Sequence, residues 1–331
     1  MNLLIAGGAG FIGANFAHDA AERGHRVLIY DLLTYAGNPK NVASFTHLVK
    51  GDIRSASALD IVFAEGIDGV PFDAVVNFAA ESHVDRSISL AMPFVETNVV
   101  GAVTLLEAAR RHRVPTMVQI STDEVYGSIE ETGRFTAQSP LRPSSAYSAS
   151  KAAADLLLLS YYRTHGVDVR ITRCTNNYGR FQHPEKFIPT VISNALAGTS
   201  IPIYGDGNQV RDWIFVDDHV AGILDVLERG RPGAIYHFGG PGIEGDAVGI
   251  SNFELAHRLL RILAEKTGSQ LSHYTALLQN VTDRPGHDRR YALDWSDAER
   301  ELGWRPNIEL EEGLRKTIDW WLAHPNWWND V

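Results

Sequence analysis

A phenol and an ammonium stand four residues apart in Tyr147-Ser148-Ala149-Ser150-Lys151, a spacing that puts both on one face of a helix. A cation beside a phenol favours phenolate, lowering its proton affinity toward working pH so that it can take a proton from an alcohol. Upstream, Ser121-Thr122-Asp123-Glu124-Val125-Tyr126 follows directly on the strand-like run Thr116 to Ile120. In an open parallel sheet the ligand crevice lies at the C-terminal ends of the strands, so a hydroxyl and two adjacent acids there are placed for chemistry. Two neighbouring carboxyls resist double ionisation, which separates them into an acid and a base. Without the Tyr and Lys, the same acids read as solvated helix-start residues.

Near the start, Gly7-Gly8-Ala9-Gly10-Phe11-Ile12-Gly13 sets glycines three residues apart between an apolar run, Leu3 to Gly7, and a segment with helical spacing. Such glycines permit a tight turn and let helix-terminal N–H groups approach a pyrophosphate. The motif alone is weak; its flanks strengthen it. Asp31 closes the second strand, where a carboxylate can accept from a ribose 2′-OH and repels a 2′-phosphate, so NAD is preferred over NADP. Asp52, in Gly51-Asp52-Ile53 after the third strand, reads equally as an adenine-side carboxylate or as a turn residue.

The elements that must position these groups alternate. Val27 to Tyr30, His47 to Lys50, Ala74 to Phe78 and Thr116 to Ile120 are short β-rich runs with helical patterns between them. This predicts an α/β protein, a Rossmann-type doubly wound parallel sheet with a smaller C-terminal substrate-binding region. Asn98 to His112 and Ala146 to Thr164 are apolar-rich helices that could be covered by the fold or by a second subunit. After about residue 175 the rhythm fades, although Ile235 to Phe238 reads as a strand returning to the sheet. Residues 1–175, with about 208–240, form the expected NAD-binding domain; 176–331 are mainly substrate-binding, and the boundary is discontinuous.

Composition narrows the class. The 331 residues are 44% hydrophobic and 21% charged, which excludes a disordered or fibrous chain. A net charge of −10 leaves no electrostatic footprint for nucleic acid or anionic lipid. The N-terminus shows no signal-like leader, and the run Leu156 to Leu159 is far too short to span a bilayer. One cysteine, Cys174, reads as a small packing residue. A cytoplasmic chain is expected. The 13 histidines lack metal spacing, so no metal is expected. Trp320, Trp321, Trp327 and Trp328 are expected to pack the last helix and tail onto the body.

Taken together, the glycine fingerprint, Tyr147-x-x-x-Lys151 and the hydroxyl after the fifth strand resemble the extended, nucleotide-sugar branch of the short-chain dehydrogenase/reductase superfamily. Thr122-Asp123-Glu124 narrows the likeness to the dTDP-glucose 4,6-dehydratase family, since the sugar 4-epimerases of that branch lack the acid pair. The stretches Ala79 to Ile88, Arg173 to Pro189, Ile201 to His219 and Asp283 to Tyr291 continue the similarity through most of the chain.

The resemblance implies conversion of dTDP-glucose to dTDP-4-keto-6-deoxyglucose by oxidation at carbon 4, loss of water across carbons 5 and 6, and return of hydride to carbon 6. Thr122, Asp123, Glu124, Tyr147 and Lys151 would be catalytic, with Asp123 as acid and Glu124 as base. It implies NAD contacts at Gly7, Gly10, Phe11, Ile12, Gly13, Asp31, Asp52, Ile53, Ala79, Ala80, Ser82, Tyr147, Lys151 and Asn177. Sugar-nucleotide contacts would come from His83, Thr122, Asn176, Lys186, Phe187, Pro202, Tyr204, Arg211, His237, Arg284 and His287. A homodimer through the two apolar helices, Asn98 to His112 and Ala146 to Thr164, is also expected. Leu32, Ala6 and His237 depart from the residues usual in the family, and the loop Gly239 to Gly249 is longer. A UDP-sugar epimerase or decarboxylase, or a silent NAD-binding sensor, would be the alternatives; the acid pair argues against the former and the intact Tyr147, Lys151 and acids against the latter.

Overall fold

Alternation within the first strand decides the layering. In β1 (Asn2–Ala6), Leu3 and Ile5 face one hydrophobic core while Leu4 and Ala6 face another, so both sides of the sheet are buried. The computed structural model describes residues 1–129, 132–242 and 249–328. Most of the Gly239 to Gly249 loop, residues 243–248, lies outside the described residues.

The remaining strands of the central sheet are β2 (Arg26–Asp31), β3 (Leu48–Lys50), β4 (Ala74–Asn77), β5 (Thr116–Thr122), β6 (Asp168–Cys174) and β7 (Ile235–Phe238). All seven are parallel in the order β7-β6-β5-β4-β1-β2-β3. The order reverses between β1 and β4, which opens the crevice of a doubly wound sheet at the glycine turn. The strand expected to return, Ile235–Phe238, pairs with β6 at the sheet edge.

Two elements differ from expectation. Pairing of β5 with β6 continues through Thr122 and Cys174, so Ser121 and Thr122 belong to the strand rather than following it. The helix expected from Asn98 starts earlier: Met92–Phe94 is α-helical, Val95–Gly101 is a π-helix, and Ala102–Arg111 is α-helical again. Its wide turn carries buried Asn98, whose amide bonds the Glu81 backbone and Ser150 Oγ. Periodicity cannot register a turn whose polar residue faces inward.

Beyond β6 the chain builds short pairs instead of long strands: Asn176–Tyr178 with Trp213–Phe215, Ile201–Tyr204 with Leu278–Val281, and Val210–Arg211 with Ile250–Ser251. They cover a third core that includes Ile188, Leu259, Leu314 and Trp321. No helix among the described residues is long and apolar enough to cross a membrane.

Candidate active site

Where the sheet order reverses, the backbone passes too closely for side chains. Gly7 has φ +74°, and a Cβ there would lie 2.4 Å from the Ala79 nitrogen; one on Gly13 would lie 2.3 Å from the Gly7 carbonyl oxygen. The helix Phe11–Glu22 begins at Gly10 without a side-chain cap or a first-turn acid, leaving its amides for an anion. A cavity of about 340 Å³ runs from this turn along the ends of the strands. It is lined by all fourteen residues expected at the dinucleotide, from Gly7 and Asp31 to Tyr147, Lys151 and Asn177. The glycine cradle and the uncapped helix end fit a pyrophosphate.

Asp31 is held rigidly. Its Oδ2 accepts from the Ala9 N–H at 2.9 Å and its Oδ1 from the Leu33 N–H at 2.8 Å. Asp52 lines the same cavity with its carboxylate paired to the Arg54 guanidinium at 2.7 Å. Phe78, Thr97, Gln182, His183 and Glu185 also line it and were not picked out from the sequence. Glu185 is the least expected, because both its carboxylate oxygens are buried without a hydrogen bond. Four nitrogens surround it: His83 Nε2 at 3.5 Å, Arg86 Nη2 at 3.6 Å, His183 Nδ1 at 3.7 Å and Lys186 Nζ at 3.5 Å. The only sequence signal was an acid between His183 and Lys186.

At the other end, Ser145 caps the helix Ala146–His165 with a capping box and fixes the turn from which Tyr147 projects. Thr122 and Asp123 end β5 and open a 3₁₀ turn, Asp123–Tyr126. The Thr122 hydroxyl accepts from the Glu124 N–H, donates to Asp123 Oδ1 at 3.2 Å, and is within hydrogen-bonding reach of Tyr147.

Electrostatics separate the two acids. Burial pushes the Asp123 carboxyl well above the usual carboxylate range, and the Glu124 charge adds to it. Its Oδ2 is buried and unpartnered, as suits a protonated carboxyl with a proton to give. Burial also raises Glu124, but Arg284, Arg211 and Lys186 oppose that rise with three positive charges. Both carboxyls are thus raised, Asp123 the more strongly, which is the direction an acid–base division between them would take.

The phenol departs from expectation. Tyr147 is raised, not lowered: burial dominates, and the Glu124 charge reinforces it. Lys151 is buried, and its Nζ donates to the Ile120 carbonyl oxygen at 2.6 Å rather than to the phenol. Desolvation outweighs the cation in the protein alone.

The expected sugar-nucleotide residues fall into three places. Thr122, Asn176 and Lys186 line the cavity. Tyr204, Arg284 and His287 join one charged cluster beyond it: Asp85 accepts from Arg284 at 2.9 Å and from Tyr204 Oη at 3.4 Å, and the Tyr204 and His287 rings meet edge to face. His83 pairs with Glu185 in the neighbouring cluster, while Phe187 and Pro202 open the helix and strand that flank it. Arg211 is buried, donating to the Val210, Asp288 and Arg289 carbonyls and lying over the Tyr291 ring.

His237 does not join them. It is 3% exposed, with Nε2 2.7 Å from Tyr126 Oη and Nδ1 3.0 Å from the Asp294 carbonyl oxygen. Arg173 donates to Tyr126 Oη, so the phenol gives its own proton to His237 Nε2 and His237 donates from Nδ1. Burial, with Arg173 nearby, pushes His237 down to about 4 and keeps it neutral. The ring supports the turn that carries the acids from behind.

A family model described as GDP-mannose 4,6 dehydratase matches residues 4–317. The dTDP-glucose 4,6-dehydratase of Streptomyces antibioticus is 47% identical over 343 residues, covering 100% of this chain and 95% of that protein. The chain belongs to the dTDP-glucose 4,6-dehydratase family. Another member, from Mycobacterium tuberculosis, is 46% identical across 100% of this chain and 96% of its own. The crystal structure of the Streptomyces venezuelae family member DesIV, with NAD bound, superposes with a TM-score of 0.89 at 46% identity, covering 99% of each chain. A UDP-glucose 4-epimerase of Thermus thermophilus, complexed with NAD, shares the fold at TM-score 0.86 and 28% identity, covering 100% of both chains.

Proposed function

We propose that this protein converts dTDP-glucose to dTDP-4-keto-6-deoxyglucose and water, with NAD as its resident cofactor. Full-length likeness to dTDP-glucose 4,6-dehydratases supports the substrate, and the split between Asp123 and Glu124 carries the mechanism. When bound, NAD accepts hydride from carbon 4 of the sugar and gives it back at carbon 6. Tyr147, as the phenolate that the positive charge of a bound nicotinamide would favour, would take the 4-hydroxyl proton, with Thr122 lining the same cavity. The carbon 4 ketone acidifies carbon 5, whose proton Glu124 removes. Asp123 gives its proton to the departing 6-hydroxyl, which leaves as water. Glu124 returns its proton to carbon 5, and the proton gained by Tyr147 ends on Asp123 to reset the site.

Lys186, Arg284 and the cluster around Tyr204 and His287 hold the nucleotide diphosphate and base in this reading, since guanidinium forks match phosphate oxygens. Residues 1–175 with about 208–240 form the NAD half, and 176–331 mainly the substrate half. Ile88, Leu90, Met92, Val95, Val100, Leu156 and Leu157 are exposed apolar residues on or beside the helices at 84–111 and 146–165, which supports a homodimer through that face. The lone, buried Cys174 suits a reducing cytoplasmic setting.

Incubating purified protein with dTDP-glucose and following the alkali-induced chromophore of the 4-keto-6-deoxy product tests the reading. Accumulation of the product supports it. Interconversion of glucose and galactose without dehydration, or no turnover, would sink it.

A further inference from the structure

We propose that the C-terminal tail is a buckle on the dinucleotide turn: Trp327, acting through Asn41, positions Ala9 inside the glycine fingerprint and so governs how firmly NAD is held. This rests on the cofactor reading above and adds a positioning residue remote from it in sequence.

The connection is a continuous set of hydrogen bonds. Trp327 Nε1 donates to Asn41 Oδ1 at 2.8 Å, and Asn41 Nδ2 donates to the Ala9 carbonyl oxygen at 2.9 Å. The Asn38 N–H reaches the same carbonyl at 3.1 Å, while Asn38 Nδ2 returns to the Trp327 carbonyl at 3.2 Å. On its other side, the Ala9 N–H donates to Asp31. The turn residue is therefore pinned at both polar groups, and one of its pins ends on the tail.

Chemistry makes the indole specific. An indole N–H can only donate, so it obliges the Asn41 amide to turn its oxygen toward the tail and its NH₂ toward Ala9. Rotated by half a turn, the amide would set oxygen against the Ala9 carbonyl oxygen. Asn38 and Asn41 are 0% and 1% exposed, so no solvent molecule can substitute freely. The ring is itself held, stacked on Phe181 at 5.6 Å and edge-on to Trp320 at 5.5 Å. Neighbouring Trp328 supplies the contrast, because it packs on the His183 ring while its Nε1 has no hydrogen-bond partner.

The test measures NAD release directly, by the bound NAD remaining in holoenzyme during dialysis, alongside thermal midpoint and turnover. Trp327→Phe keeps an aromatic ring and removes the N–H; it should release NAD roughly two- to tenfold faster, the range of one buried hydrogen bond. Asn41→Asp, which still accepts from the indole but cannot donate to Ala9, should do the same, and the double variant should be no worse than the worse single. Trp328→Phe should match wild type. Saturating NAD should restore kcat and leave the KM for dTDP-glucose unchanged. NAD release at the wild-type rate in Trp327→Phe, even with a lowered thermal midpoint, would reduce the tail to plain packing and overturn the proposal. If wild type binds no NAD, the cofactor reading fails with it.

Discussion

Lys151 Nζ lies 2.6 Å from the carbonyl oxygen of Ile120, tying the helix that carries Tyr147 to the strand that ends in Thr122. The ammonium thus does two things: it sets the spacing of phenol and hydroxyl, and it satisfies a buried carbonyl. Lys151→Met removes both. The oxidation step, followed by stopped-flow nicotinamide absorbance, should slow by about 10²–10⁴-fold, the usual worth of a positioned acid–base partner. An unchanged burst of reduced cofactor would refute the assignment.

Asp123 and Glu124 should fail differently. Glu124→Gln should still oxidise carbon 4 but lose solvent-deuterium exchange at carbon 5. Asp123→Asn should retain that exchange and lose water elimination, each by roughly 10²-fold or more. Full dehydration by Glu124→Gln would show that the base lies elsewhere.

The same acids set the pH profile. If the proposed roles hold, with Glu124 ionised and Asp123 protonated in the active form, the rate should fall on the acid side as Glu124 gains its proton and on the alkaline side as Asp123 loses its own. Asp123→Asn should flatten the alkaline limb of the residual activity. Stability follows the opposite course for this residue: the folded chain holds the Asp123 proton to higher pH than the unfolded chain, so stability declines as pH rises through that window. Melting curves should therefore show Asp123→Asn above wild type near pH 8 by roughly 1–2 °C for each ~1 kcal/mol relieved, with the gap closing in acid.

Arg173 and Asp155 form an ion pair at 2.9 Å, exposed by only 2% and 0%. Arg173→Met leaves the buried Asp155 without its cation, with the Ser121 hydroxyl as a remaining donor, and removes a donor from Tyr126. Denaturant unfolding should register a loss of about 3–5 kcal/mol. His237→Phe, which strips both the acceptor of the Tyr126 proton and the donor to the Asp294 carbonyl, should cost about 1–3 kcal/mol.

Val100→Glu combined with Leu156→Glu should convert a dimer to monomers, read by light scattering at micromolar concentration. Two charges would be forced into the apolar face. A wild-type mass already equal to one chain would remove the basis for the dimer.

Much of this site was legible because its chemistry is local. Gly13 is required by crowding against the nearby Gly7 backbone, and Tyr147 with Lys151 share one helical turn, so spacing exposed them; Gly7 was exposed by the same motif, although the backbone that crowds it, at Ala79, lies far along the chain. Asp123 and Glu124 declared themselves by adjacency at a strand end. Asn41 stayed hidden because its partners Ala9 and Trp327 are distant in sequence, and Glu185 because two of the basic groups around it, His83 and Arg86, are, while a single acid or amide carries no periodic signal. His237 sat at a position suggestive of ligand contact, but its two nitrogens are consumed by Tyr126 and Asp294, which no pattern in one chain discloses. The strand end at Thr122 was read short because polar residues at the crevice interrupt the apolar run while backbone pairing continues.

The seventh strand of the sheet has a practical consequence. Ile235–Phe238 covers the flank of Asp168–Cys174, yet sixty residues of intervening chain, the first strands and helix of the other half among them, come before it arrives. An N-terminal fragment ended near residue 175 would present a bare hydrogen-bonding margin and a stripped apolar surface, an invitation to self-association. The two halves are interwoven by the path of the polypeptide, and neither can be trimmed away, swapped or expressed by a simple cut.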